Sequence, residues 1–167
     1  ADTAEIVWLD GDNETAIAML DQFRPGRTSE LAQVKASLGR YKEAAAHLRE
    51  MNPNAYPPGM LELAAKTLEA APAKFAGPPP NFGTLDWVYI FIGDPERAME
   101  YYENNLAAGY FQPISSTWFW HAAYAPVRKT QRFKDYVRKI GFYDMWKTSG
   151  IWPAQCKQAG AGDFRCE

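Results

Sequence analysis

Gly39-Arg40-Tyr41-Lys42-Glu43-Ala44-Ala45-Ala46-His47-Leu48 is the stretch that sets the reading of this chain. Ala44 follows the glycine at the fifth position and Leu48 at the ninth. In that register a tight turn releases a helix that carries a small residue where it crosses a neighbour closely, and a bulky one filling the gap beside it. The register recurs after Gly11, with Ala16 and Leu20, and after Gly93, with Ala98 and Tyr102. Three occurrences predict helical hairpins, and repeated helical hairpins are scaffolds for binding.

Working outward, residues 3–9 read as the end of one helix and 13–23 as its partner, with Ile17, Leu20 and Phe23 on one face. Arg24-Pro25-Gly26 stops it. Thr28 or Ser29 caps a helix running to Leu38 with Leu31, Val34 and Leu38 as its stripe, and 41–51 returns. Asn52-Pro53-Asn54 and Pro57-Pro58-Gly59 bracket a connector, because prolines and glycine oppose helix continuation. A helix over 60–71 follows, with Leu61, Ala64, Ala65 and Leu68 apolar. Pro72, Gly77 and Pro78-Pro79-Pro80 then impose an extended stretch, the expected hinge of the array.

In the second half, Thr84 caps a helix through Ile92. Asp94-Pro95-Glu96 reads as a helix start, with a cap, a first-turn proline and an acid at the positive end of the dipole, and that helix ends near Ala107. Ser115 or Ser116 starts a short helix through Tyr124, which Pro126 breaks. Thr130 begins another in which Phe133, Tyr136, Val137 and Ile140 share a face, terminated by Gly141. No strand is predicted.

At 167 residues and 47% apolar, the chain is long enough for one well-buried core. The predicted organisation is a single domain over 1–167, with N-terminal repeats over 1–76, a proline-rich connector over 77–83 and a last repeat with its cap over 84–167. No segment approaches the roughly 20 apolar residues of a membrane span. The start Ala1-Asp2-Thr3 has no initiator methionine, which fits a removed signal or a fragment of a longer protein; the helix before Gly11 is short, so the fragment, with more repeats upstream, is the expectation.

Net charge is −2, which gives no global attraction to nucleic acid, but the basic groups gather late: residues 128–167 hold 9 basic and 4 acidic side chains. On a helix the cations Arg132, Lys134, Arg138 and Lys139 fall toward solvent or flank the apolar face of Phe133 and Tyr136, so a solvated capping helix is expected and no nucleic-acid partner. Cys156 and Cys166, ten positions apart, can close a small disulfide loop. A bridge would favour an oxidising compartment over the cytoplasm. Zinc needs more ligands, and His47 and His121 are remote from that pair, so no metal and no cofactor is expected.

The glycine-framed hairpins resemble tetratricopeptide repeats. Before Gly93, Phe82, Leu85 and Tyr89 fall where that family places the large residues of its first helix, and Ala98 and Tyr102 fall at second-helix positions. Before Gly39, Leu31 and Ala32 hold the large and small positions, with Thr28 and Lys35 replacing the aromatics; before Gly11, Ala4 holds the small position and Val7 the larger one. The glycine intervals are 28 and 54 residues against about 34 in the family, so the repeats are irregular. The resemblance implies an all-α, irregular helical-hairpin solenoid with an aromatic-rich C-terminal cap. From about Gly83, the pattern Gly93-Asp94-Pro95-Glu96-Arg97-Ala98, then Trp120-His121-Ala122-Ala123-Tyr124-Ala125-Pro126-Val127-Arg128, Arg132-Phe133, Gly141, Trp146, Trp152, Cys156, Asp163-Phe164 and Cys166 is similar to the C-terminal repeat region of large proteobacterial signalling proteins. In those, an adenylate or guanylate cyclase domain, or a winged-helix domain, precedes the repeats. No cyclase motif maps onto any residue here.

The inventory for chemistry is thin. His121 sits in Trp118-Phe119-Trp120-His121-Ala122 and reads as a packed imidazole bonded to the backbone, His47 as a surface or edge residue, and Glu96, Glu100 and Glu103 as a solvated acidic face. No glycine spacing cradles a phosphate. Of 24 aromatic residues, 12 fall between Tyr110 and Trp152, which reads first as a plug over the open end of a solenoid and second as a pocket for a small ligand. Offsets from the glycines nominate Trp8, Leu9, Gln33, Ser37, Trp87, Ile90 and Phe91 for an inner, partner-binding face, with the two tryptophans as hot spots if accessible. The expected function is a non-catalytic module binding a protein or peptide, including another copy of itself; the alternative is a sensor holding a small molecule in the aromatic cluster.

Overall fold

A computed structural model describes residues 3–73, 77, 79–110, 118–160 and 162–167. Among these residues stand ten α-helices and one small two-stranded sheet, so the chain is all-α in class. Its contacts divide it into two units, residues 1–94 and 95–167.

The first unit holds α1 (Thr3–Leu9), α2 (Asn13–Asp21), α3 (Thr28–Ser37), α4 (Tyr41–Glu50), α5 (Met60–Glu69) and the single turn α6 (Val88–Phe91). Each of α1 to α4 packs on the next helix in sequence, and α6 packs on α3 and α5. Asp12 caps α2 by accepting from the Thr15 N–H. Gly39 turns α3 into α4 at φ +74°, a left-handed conformation that costs other residues energy. Ala44, Ala45 and Leu48 are fully buried, with Leu31, Ala32, Ala64, Ala65 and Leu68, so the small residues lie where helices approach and the leucines fill the space between. Each such leucine contributes about 1.5–3 kcal/mol of burial.

Two stripe residues leave the core: Phe23 is 62% exposed and Leu38 37%. The reason is local. α2 stops at Asp21 and α3 at Ser37, so both residues follow the helix end and no longer share its face. The proline-rich connector also differs from a hinge at its described end. Tyr89 Oη donates to the Pro80 carbonyl at 2.6 Å and accepts from the Phe82 N–H at 3.0 Å, and Phe82 is fully buried. That segment belongs to the first unit, and the division falls at Asp94 and Pro95 instead of within 77–83. The predicted helix over 84–92 is a 3-10 turn at Gly83–Leu85 followed by α6.

The second unit holds α7 (Ala98–Ala107), α8 (Ala125–Arg128), α9 (Gln131–Lys139), α10 (Phe142–Ser149), β1 (Cys156–Ala159) and β2 (Asp163–Cys166). α7 starts four residues after Asp94, because 95–97 make turns in which the Glu96 and Arg97 carbonyls accept from Met99 and Glu100. The predicted start at Ser115 or Ser116 lies outside the described residues. Pro126 does not break a helix; it occupies the first turn of α8, where a missing N–H costs nothing. Thr130 caps α9 by accepting from the Phe133 N–H, and Phe133, Tyr136 and Val137 are buried.

The expectation of no strand fails at the tail. β1 and β2 form an antiparallel hairpin pairing Cys156 with Cys166, Lys157 with Arg165, Gln158 with Phe164 and Ala159 with Asp163, and a disulfide joins Cys156 to Cys166. Strands of four residues are too short for alternation to stand out in sequence. α10 escapes for a similar reason, since its buried pair, Tyr143 and Trp146, offers one helical spacing and no more.

Candidate functional site

The residues nominated for an inner binding face lie mostly inside the molecule. Trp8 is 2% exposed, Gln33 1%, Trp87 3% and Ile90 8%, while Leu9, Ser37 and Phe91 are half-buried. The indole Nε1–H of Trp8 donates to Ser37 Oγ at 3.3 Å, tying α1 to α3, and Ser37 in turn donates to the Val34 carbonyl at 2.7 Å. Phe91 meets Tyr41 and Trp87 with ring centroids 6.1 Å away in each case. In a regular repeat these offsets line an open wall; here α6 lies across α3 and α5, and the positions become core.

An open face in the first unit runs along α4 and α5, with Arg49 at its centre. Its Nε donates to Glu62 at 2.7 Å, its Nη1 to Glu69 at 2.6 Å, and its Nη2 to both carboxylates at 3.2 Å. Helix spacing explains the geometry: Glu62 and Glu69 are seven residues apart on α5 and stack on one face, two turns from each other. The Arg49 hydrogen bonds hold both carboxyls below the ordinary range, and the Glu69 and Glu62 carboxylates push the guanidinium higher still. Lys66 adds a cation 3.6 Å from Glu62.

Two hollows adjoin this network. One, about 340 Å³, is walled by Met51, Pro53, Pro57, Gly59 and Leu61 together with Arg49 and Glu62. The other, about 320 Å³, is walled by Gly39, Arg40, Tyr41, Lys42, Glu43, Ala71 and Glu69. Exposed ion pairs add little stability, so the effect of the network is to hold a fixed pattern of charge between an apolar groove and a polar one. Sequence reasoning missed this face, because Arg49 meets its partners 13 and 20 positions along the chain.

The second unit carries the aromatic cluster, which is packed ring against ring. Phe119 meets Tyr102 at 4.6 Å, Phe133 at 5.3 Å and Tyr124 at 6.0 Å, and Trp146 meets Trp152 at 5.6 Å, Phe164 at 5.7 Å and Trp120 at 5.9 Å. Beneath it Arg128, 3% exposed, donates Nη1 to the Phe119 and His121 carbonyls and Nε to that of Glu167, and burial lowers its pKa. His121 is 7% exposed and accepts at Nδ1 from the Ala123 N–H; burial, then the nearby Arg128 charge, pushes its pKa down to about 4. A neutral imidazole accepting this backbone N–H caps the Ala122–Tyr124 turn.

The charged runs are also committed. Glu100 and Glu103, read as a solvated face, both accept from Arg132, which also donates to the Glu96 carbonyl. Lys134 and Arg138 donate to Asp163 at 2.9 and 2.6 Å. Three of the cations on α9 are thus paired with carboxylates within the unit. His47, expected at an edge, is 7% exposed, with Nδ1 3.1 Å from Glu50, whose carboxyl is lowered by that bond.

Among the described residues no three His, Cys, Asp or Glu gather to hold a metal ion, and no helix is long and apolar enough to cross a membrane. No protein-family model, curated protein or solved structure matches the chain.

Proposed function

We propose that this chain is a non-catalytic helical-repeat module that docks a protein or peptide, including a second copy of itself, on the α4–α5 face. The observation that carries the reading is the pairing of an apolar groove with a fixed ion network on consecutive packed helices: Met51, Pro53, Pro57 and Leu61 offer apolar contact, and Arg49, Glu62 and Glu69 offer direction. Helical hairpins that stack neighbour on neighbour present such surfaces without moving, which suits recognition of an extended or helical segment. The solenoid arrangement, and a place in the C-terminal part of a cyclase-type bacterial signalling protein, rest on the sequence resemblance. The disulfide supports an oxidising compartment.

Selection of displayed peptides against the immobilised full chain tests the proposal, together with sedimentation velocity from 1 to about 100 μM for self-association, the range of weak specific contacts. The expected result is enriched peptides, or a dimer, whose binding drops at least tenfold in Met51→Asp while the helical circular dichroism is unchanged. Binding that ignores Met51→Asp, or no binding of either kind, overturns it. Thermal stabilisation by a small molecule, with altered tryptophan fluorescence, would favour a sensor instead.

A further inference from the structure

We propose that the hairpin β1–β2 is a redox-operated strap over the aromatic cluster of the second unit, seated when the Cys156–Cys166 disulfide is closed and released when a dithiol reduces it. The argument begins with what holds the hairpin together. Among the described residues its two strands of four residues pair only with each other, and such a ribbon is at best marginally stable in water. The disulfide joins the open end, opposite the turn at Gly160, so the covalent bond is what keeps β2 in register once the turn loosens.

What the hairpin grips, it grips by β2. Phe164 is fully buried, with ring centroids 5.7 Å from Tyr143, 5.7 Å from Trp146 and 6.3 Å from Trp152. The neighbouring Asp163 takes hydrogen bonds from Lys134 and Arg138, and both cations also lie over the Phe164 ring, at 5.8 and 5.5 Å. β1 contributes the exposed Lys157 and Gln158, and its attachment is the bond from Gln155, just before the strand, to the Trp120 carbonyl at 3.1 Å. Asp163 and Phe164 therefore carry the side-chain attachment, with Arg128 holding the Glu167 carbonyl just beyond β2, and a strand that leaves takes all three contacts away together, uncovering Trp146 and Trp152.

The redox step balances with a dithiol as the reductant. Its thiolate attacks one cystine sulfur, the S–S bond breaks, and the other cysteine leaves as a thiolate that takes up a proton. The second thiol of the reductant then closes on the first, releasing an oxidised cyclic disulfide and leaving Cys156 and Cys166 as thiols. Both cysteines are buried, at 5% and 8% exposure, so attack follows a loosening of the hairpin, and the seated strap protects its own bond. Losing the constraint on an 11-residue loop raises the opening equilibrium about 100-fold.

The test uses the full chain, oxidised and then reduced with dithiothreitol under native conditions, beside the double variant Cys156→Ser, Cys166→Ser. Expected on reduction is amide exchange about 100-fold faster over 156–166 and increased acrylamide quenching of tryptophan, with α7 and α9 still protected and reoxidation restoring the start. The double variant should show the released state without reductant and ignore it when added. Unchanged exchange in the hairpin would mean the bond is redundant, and loss of protection throughout residues 95–167 would mean that it holds the fold; either result overturns the strap.

Discussion

Replacing His121 with asparagine should remove most of the acid sensitivity of the second unit between pH 7.5 and pH 5. The imidazole is buried, accepts from the Ala123 N–H at Nδ1, and lies beside Arg128, which donates to the His121 carbonyl. Burial disfavours the charged imidazolium and the Arg128 guanidinium adds like-charge repulsion, so the folded-state pKa drops to about 4 from 6.5. In the unfolded chain the same group takes up its proton below about 6.5. Between those values the unfolded state binds more protons, so stability is complete above 6.5 and falls as pH drops toward 4. Integrating between the two pKa values gives a loss of about 2 kcal/mol from pH 7.5 to 5, and roughly 3 kcal/mol once both states are protonated. Asparagine keeps a short acceptor at the cap of the Ala122–Tyr124 turn but does not titrate. Urea unfolding followed by tryptophan fluorescence at several pH values, at constant ionic strength, reads the difference between wild type and His121→Asn, and carboxylates common to both cancel. Two parallel stability curves, offset by a constant, would refute the reasoning.

Arg128→Met should cost the second unit about 3 kcal/mol or more, because the carbonyls of Phe119, His121 and Glu167 lose their buried donor; denaturant unfolding reads it, and a loss below about 1 kcal/mol would contradict the role assigned to the guanidinium. Gly39→Ala should cost about 1 kcal/mol from the left-handed backbone alone, since an added Cβ meets nothing within 4 Å; a thermal scan showing no loss would remove the steric argument for the turn. Asp163, held down to about 2 by Lys134 and then by the Phe164 N–H, adds attachment of the hairpin above its ordinary pKa and gives it up as pH falls from about 4 toward 2. The protection of β2 amides, taken relative to their intrinsic exchange rates, should therefore fall across that window in wild type and not in Asp163→Asn.

Helix and turn were readable along the chain because their causes are local. Gly39 can adopt positive φ, Ala44 and Leu48 repeat at helical spacing, and Thr130 can cap; each acts within a few residues. The all-α class and the buried stripes of α4, α5 and α9 follow from such short-range rules. What failed was whatever depended on which faces become covered. Trp8, Gln33, Trp87 and Ile90 carry the pattern of an open wall and are core, because burial is decided by elements distant in sequence, such as α6 over α3. Phe23 and Leu38 carry the pattern of core and are exposed, because their helices end two positions and one position early.

The same division holds for the sites. Two cysteines ten residues apart bound a loop from sequence, but only the fold seats Phe164 among Tyr143, Trp146 and Trp152 and hands Asp163 to α9. Arg49 reads as one more surface cation until α5 brings Glu62 and Glu69 to it. Backbone propensity and periodicity act over one or two helical turns, so the residues themselves determine the elements. Pairing of charges and covering of faces are set by distances through space, and those exist only once the elements have packed.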